Sequence, residues 1–267
     1  MLGVTLNETE IVNDILNEKI CKCNIYNGIL LLIKYYHIKG NVDRIEIKEY
    51  IIKNFEECND IEFRRADWED LISKSIDKLF RDIKIHKKNM KLVDIDKISI
   101  TINELNKINT LESKKLKKIA FVLLVYAKIS NVALDRDDGW INQSYKNIFI
   151  EAKVSAKGND KKLLLHDLYK LEYISQSYKN DSTSLKINYI DNTSDSEVAF
   201  YVEDFDFIIY SYLNYMGENW IKCEVCGKYF IKNKNAKKIP KYCSLCQKEK
   251  QREWDRESKK RVRNKDV

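Results

Sequence analysis

Four cysteines near the end of the chain form two Cys-x-x-Cys pairs, Cys223 with Cys226 and Cys243 with Cys246, separated by sixteen residues. Two residues between cysteines let one tight turn present both sulfurs to a single tetrahedral ion. The interval between the pairs falls in the range used by four-thiolate structural sites. The spacing therefore predicts one structural zinc ion. Gly227, directly after the first pair, supplies a backbone able to take positive φ and complete a knuckle whose amides point at the sulfurs. Four thiolates close the coordination sphere and leave no position for water or substrate, so the expected metal is structural and not catalytic. The competing chemistry is a dithiol redox site. Two pairs beside a knuckle glycine weigh against it.

The residues around the pairs agree with a small metal module. Tyr229 and Phe230 supply apolar cover, Tyr242 precedes the second pair, and only helix formers follow from Gln247 to Glu257. A cysteine pair that opens a helix gives a treble clef, whereas a second knuckle leading into a strand gives a zinc ribbon. Both stay open, with the treble clef favoured. The run C-E-V-C-G-K-Y-F followed by K-Y-C-S-L-C and a basic helix resembles the C-terminal zinc finger of small proteins in Firmicute phages and integrated elements. It is also similar to the CGNR-type bacterial zinc finger, although the C-G-N-R box is missing and only two residues separate the last cysteines. The resemblance covers about forty residues and implies association with DNA or RNA, often in a regulatory role.

Charge points the same way. From residue 221 onward there are 16 Lys and Arg against 6 Asp and Glu, a surplus of +10, which leaves 32 against 35 for residues 1–220. Four thiolates on a divalent ion lower the tail to about +8. Lys232, Lys234, Lys237, Lys238 and Lys241 lie on the loop between the pairs, and Lys248, Arg252, Arg256, Lys260 and Arg261 on the helix after them. Folding around the ion would gather these into one phosphate-binding surface. The bland alternative is a solvated helix in which Glu249, Glu253, Asp255 and Glu257 offset their basic neighbours. Trp254 either stacks on a base or, as the favoured reading, packs on the finger.

The elements that must carry these residues are mainly helical, in an α+β chain. One proline and seven glycines among 267 residues argue against a turn-rich sandwich. Helical periodicity marks 9–18, 26–37, 44–55 and 67–83, the last with an N-cap at Asp67, while 89–101 reads as extended or linker. The stretch 113–129, with nine consecutive apolar residues at 119–127 at its centre, predicts a helix buried nearly all round. A polar connection at 131–140 follows, then a short helix to about 152 capped by Asn142 or Ser144. Next come a turn at 155–158, a third helix over 159–171 with Leu164, Leu168 and Leu171 on one face, and two β-rich runs at 173–178 and 184–190. Helix, helix, turn, helix, hairpin is the order of a winged helix-turn-helix. Its third helix would offer Lys161, Lys162 and Lys170 to DNA. The expected domains are a helical 1–109, a winged-helix-like 110–203, and 204–267 holding a linker helix over 204–215, aromatic on one side, the four-cysteine finger and its basic helix.

Other classes are disfavoured. Three histidines, no phosphate-cradling glycine loop and no nucleophile–base pair argue against an enzyme. The 135–139 run starts like a calcium loop, but its glycine falls one position early. The first thirty residues lack a secretory signal, and no apolar run approaches the ~18–20 residues of a membrane span, so the expectation is a cytoplasmic protein. In that compartment Cys21, Cys23 and Cys58 read as core thiols. The expected function is a non-enzymatic regulatory protein that binds nucleic acid, DNA ahead of RNA, with a homodimer left open. The alternative is an adaptor or inhibitor that targets a host nucleic-acid machine.

Overall fold

The computed structural model describes residues 6–40, 42–86, 91–177, 184–193, 195–232 and 239–263, with helical backbone alone in 82–86 and 259–263. The described elements are α-helices and small two- or three-stranded sheets, a mainly α, α+β chain. The fold divides into two compact units, Met1–Ile98 with Tyr126–Gln143 and Ser184–Lys186, and Ser99–Val125 with Ser144–Thr183 and Ile187–Val267.

The first unit opens with α1 (Glu8–Asn13), which continues as a π-helical turn over Asp14–Glu18, then α2 (Ile25–Lys39), α3 (Arg44–Glu56) and α4 (Arg65–His86). Caps set two of these starts. The Asn24 side chain accepts the Asn27 amide, and Asp43 with Glu46 forms a reciprocal capping box on α3. Val12, Ile15, Ile29, Leu32, Ile47, Ile51, Phe55, Ile72 and Ile76 fill the core beneath them, each at most 2% exposed. Gly28 permits the close approach of α2 to α3, since a Cβ there would sit 2.9 Å from the Phe55 ring. Helix α4 starts two residues before the expected Asp67 cap. Arg65 bridges Glu49 at 2.8 Å and Glu69 at 3.2 Å, and those pairs hold an extra half-turn in place.

The stretch 91–101 ends in β1 (Ile98–Thr101), which pairs with β5 (Val198–Val202), and passes into α5 (Ile102–Asn109). Sequence periodicity did not mark α5, yet its capping box is explicit. Thr101 accepts the Glu104 amide, and Glu104, 1% exposed, accepts the Thr101 amide at 2.9 Å and that of Asp191 at 3.0 Å. Helix α6 (Lys114–Leu134) follows, and every residue from 119 to 127 is at most 2% exposed. Phe121, on α6, stacks on Tyr212 at 4.8 Å and on Phe200 at 6.0 Å.

The polar connection expected at 131–140 is shorter. Helix α6 runs on to Leu134, and Trp140–Asn142 forms β2. Arg136 closes the intervening loop, donating to the Ser130 hydroxyl at 2.8 Å and pairing with Asp138 at 3.1 Å. Ser144, not Asn142, caps α7 (Tyr145–Glu151), because Asn142 is taken up in β2. Then come α8 (Gly158–Lys170), β3 (Ile174–Gln176) and β4 (Ser184–Ile187). The hydrogen-bonded order of these strands is β2-β4-β3, with Trp140 opposite Lys186, Ile141 opposite Leu185 and Asn142 opposite Ser184. On α8 the buried leucines are Leu165 and Leu168. Leu171 is half exposed instead of lining that face, because the helix ends at Lys170 and Glu172 turns the chain through positive φ toward β3. After β5 come α9 (Ile208–Tyr215), the β6–β7 hairpin (Trp220–Lys222 with Tyr229–Ile231) and α10 (Ser244–Arg263). Helix α9 begins later than the expected 204, since Asp204 is drawn into contacts described below. Among the described residues no helix is long and apolar enough to cross a membrane.

Candidate metal centre and basic helix

The hairpin sets the first cysteine pair. Strand β6 pairs antiparallel with β7 in the register Trp220↔Ile231, Ile221↔Phe230 and Lys222↔Tyr229, so the chain must reverse within 223–228. It does so as a knuckle. The Gly227 amide donates to the Cys223 carbonyl at 2.9 Å, the Cys223 amide to the Lys228 carbonyl at 3.0 Å, and Gly227 sits at φ +67°. The second pair opens α10. Cys243 precedes its first residue, Cys246 lies in its first turn, and the Gln247 amide donates to the Cys243 carbonyl at 2.8 Å. A bond from the Glu224 amide to the Lys241 carbonyl, 3.0 Å, ties the two halves together.

These elements bring the four sulfurs within 4.8 Å of one another, the only such group of potential metal ligands among the described residues. A tetrahedral ion with Zn–S bonds of about 2.3 Å requires sulfurs about 3.8 Å apart. The Cys226 and Cys243 sulfurs are 3.8 Å apart. That is far beyond the ~2.05 Å of a disulfide. The four cysteines are therefore positioned to hold one metal ion. Backbone amides favour the thiolate at Cys223 and Cys243. The Cys226 amide, more than any other group, brings the Cys223 thiol down to about 6, and the Cys246 amide lowers Cys243. The Cys243 amide also points at the Cys223 sulfur, 3.3 Å away. Hydrogen bonding to Cys243 instead pushes Cys246 up to about 12. Binding of a cation by thiolates would release the remaining thiol protons. Cys223 and Cys246 are buried and Cys226 is exposed.

The hairpin is anchored on its outer side. Tyr229, expected as apolar cover for the sulfurs, faces α9. It stacks on Tyr210 of α9 at 4.2 Å and 10°, its hydroxyl donates to Asp204 at 3.0 Å, and Asp204 also binds Lys222 at 2.6 Å. Trp220 lies 4.7 Å from Tyr210, and Phe207 5.4 Å from Tyr229. Burial and the Asp204 charge push the Tyr229 phenol upward. The one-sided aromatic character of residues 204–215 was visible in the sequence. The partner of that face was not.

The basic positions fare differently. Lys248, Arg252 and Arg256 project from α10 and are exposed, and Lys241 is exposed and pairs with Glu224 at 3.6 Å. Lys232 is half-buried where β7 ends. Lys234, Lys237 and Lys238 lie outside the described residues, as do the side chains of Lys260 and Arg261 within α10. On α8, Lys162 and Lys170 are exposed, while Lys161 lies over the Phe149 ring at 5.6 Å. Trp254 is 52% exposed. Elsewhere, Cys21 and Cys58 are buried in the first unit's core, and the Cys21 and Cys23 sulfurs are 3.9 Å apart. The chain matches no family model, no curated protein and no solved structure. The chemically specific constellation among its described residues is the four-sulfur centre at the root of α10.

Proposed function

We propose that this protein is a non-enzymatic, regulatory nucleic-acid-binding protein, with DNA as its preferred target, and that its C-terminal module is a treble-clef finger holding one structural zinc ion. The observation that carries the reading is the placement of the four sulfurs between the β6–β7 knuckle and the first turn of α10, a helix whose exposed side chains include Lys248, Arg252 and Arg256. A closed thiolate shell does no chemistry, so the ion's role is to fix the hairpin against the helix. Thiolate ligands and tetrahedral spacing favour zinc among the common divalent ions.

A winged-helix reading of the middle of the chain supports the same function. The order α6-β2-α7-α8-β3-β4 with strands arranged β2-β4-β3 is that of a winged helix-turn-helix, in which α8 would be the recognition helix. Its exposed polar positions are Asn159, Asp160, Lys162, His166, Asp167, Tyr169 and Lys170. The test is an electrophoretic shift of the zinc-loaded full chain with duplex DNA, single-stranded DNA and RNA at graded salt. Binding that weakens steeply with salt supports the reading, and no shift at low salt defeats it.

A second reading, an adaptor that binds a protein of the nucleic-acid machinery, draws on one observation. Leu163 on α8 is 59% exposed and Ile150 on α7 is 51% exposed, large apolar side chains on a helix pair that DNA would require to be polar. Recovery of one dominant protein from lysate after nuclease treatment, together with no DNA shift, would favour it.

A further inference from the structure

Helix α10 is exposed almost all round. From Gln247 to Ser258 every residue is exposed except Lys250, which is half-buried. Its charges are largely sorted by edge, with one exception: Asp255, which accepts from Gln251 at 3.0 Å, falls about 20° from Lys248 on the basic side. At 100° per residue, Lys248, Arg252 and Arg256 fall within an arc of about 80° along the helix. Glu249, Glu253 and Glu257 repeat the same spacing on the neighbouring arc about 100° away. A helix stabilised by its own ion pairs places opposite charges four residues apart, because like charges at that spacing repel. Here each of the four successive i,i+4 contacts, 248–252, 252–256, 249–253 and 253–257, joins like charges. The pairing follows the edges. Lys250 binds Glu253 at 3.3 Å, whereas Lys248, Arg252 and Arg256 make no ion pair with another described residue, although Glu249 and Glu253 stand three positions before the two arginines.

We infer that α10 docks edge-on against the phosphate backbone of duplex DNA through Lys248, Arg252 and Arg256, with the Glu249–Glu253–Glu257 edge turned away, and that it contributes affinity independent of base sequence. The inference rests on the nucleic-acid reading above and specifies how that site works. Three unpaired cations on one edge want a dense line of negative charge, and duplex DNA carries one charge per about 1.7 Å of axis. Insertion of α10 into the major groove is disfavoured by the same sorting. A groove about 12 Å wide brings phosphates to both flanks of a helix, and one flank here is acidic. Edge-on contact satisfies the basic edge and leaves the acidic edge in solvent.

The test uses the zinc-loaded full chain and two triple variants, Lys248→Gln/Arg252→Gln/Arg256→Gln and Glu249→Gln/Glu253→Gln/Glu257→Gln. Metal content and circular dichroism establish that both are folded. Affinity for two duplexes of unrelated sequence is measured across a salt series. The basic-edge variant is expected to flatten the log–log salt slope by about 2.7, since three phosphate contacts each contribute about 0.9. It should do so equally on both duplexes. The acidic-edge variant is expected to bind several-fold more tightly with no flattening. A wild-type slope in the basic-edge variant, a loss confined to one duplex, or tighter binding to single-stranded RNA than to duplex DNA overturns the inference while leaving nucleic-acid binding in place. Failure of the wild-type chain to bind any nucleic acid at low salt overturns the underlying reading instead.

Discussion

At the scale of single residues, two kinds of side chain stand out, thiols positioned to hold a cation and carboxylates that collect donors. Replacement of Cys243 removes a sulfur that lies 3.8 Å from Cys226 and begins α10. Cys243→Ser is expected to lower bound metal from one equivalent to a small fraction, read by elemental analysis after desalting. Retention of a full equivalent would mean that three sulfurs suffice. Asp191 is the carboxylate counterpart. It accepts from the Ser196 hydroxyl at 2.6 Å, the Asn103 amide at 2.9 Å, the Thr193 backbone at 3.0 Å and the Thr193 hydroxyl. The Ser196 hydroxyl first, then Thr193, holds its carboxyl well below the usual carboxylate range. A lowered folded-state pKa contributes stability above the unfolded value of about 3.9, and that stability is lost as pH falls below it. Asp191→Asn should therefore cost about 1–2 kcal/mol at pH 7 by urea denaturation. The gap from the parent chain should narrow at pH 3, and a gap independent of pH would contradict the assignment. The cysteines could be read from the sequence because their ligand spacing is local. Asp191 could not, because Thr101 and Asn103 reach it from some ninety residues away.

At the scale of elements, α9 is the part whose importance the sequence conceals. Tyr212 meets Phe121 of α6, and Tyr210 meets Tyr229 of the metal hairpin, so α9 joins the buried α6 to the finger. Tyr229→Ala is expected to destabilise the metal-loaded protein by about 2–3 kcal/mol through lost burial and stacking, whereas Tyr229→Phe keeps the stack and should cost about 1 kcal/mol. Thermal unfolding of the metal-loaded variants compares the two. Equal losses would assign the stability to the Asp204 bond instead of the ring stack. Periodicity found the long helices because burial repeats along them: α2, α3 and α6 lie within a few residues of their expected ends, apart from the C-terminal extension of α6. It failed for β2 and α5. Trp140–Asn142 is too short for alternation to register, and α5 depends on a capping box whose glutamate is also bound by Asp191. The helix pair α7–α8 was legible as elements, but which leucines it buries was decided by where α8 stops.

At the scale of the whole molecule, the proposed function makes the charge asymmetry and the metal centre parts of one device. The surplus of +10 from residue 221 onward is useful only if the basic side chains are held in a fixed arrangement, and the four cysteines tie the root of α10 to the hairpin. Removal of the metal by a chelator should therefore lower DNA affinity by at least tenfold at constant salt, and re-addition of zinc should restore it. Unchanged affinity would place the contact on the α8 region instead. The central claim, one ion on four sulfurs, is tested most directly by X-ray absorption at the zinc edge on the purified full chain. The expected result is one zinc per chain with four sulfur neighbours at about 2.3 Å. A first shell containing nitrogen or oxygen, or a chain that binds no zinc with all four thiols reduced, would contradict it.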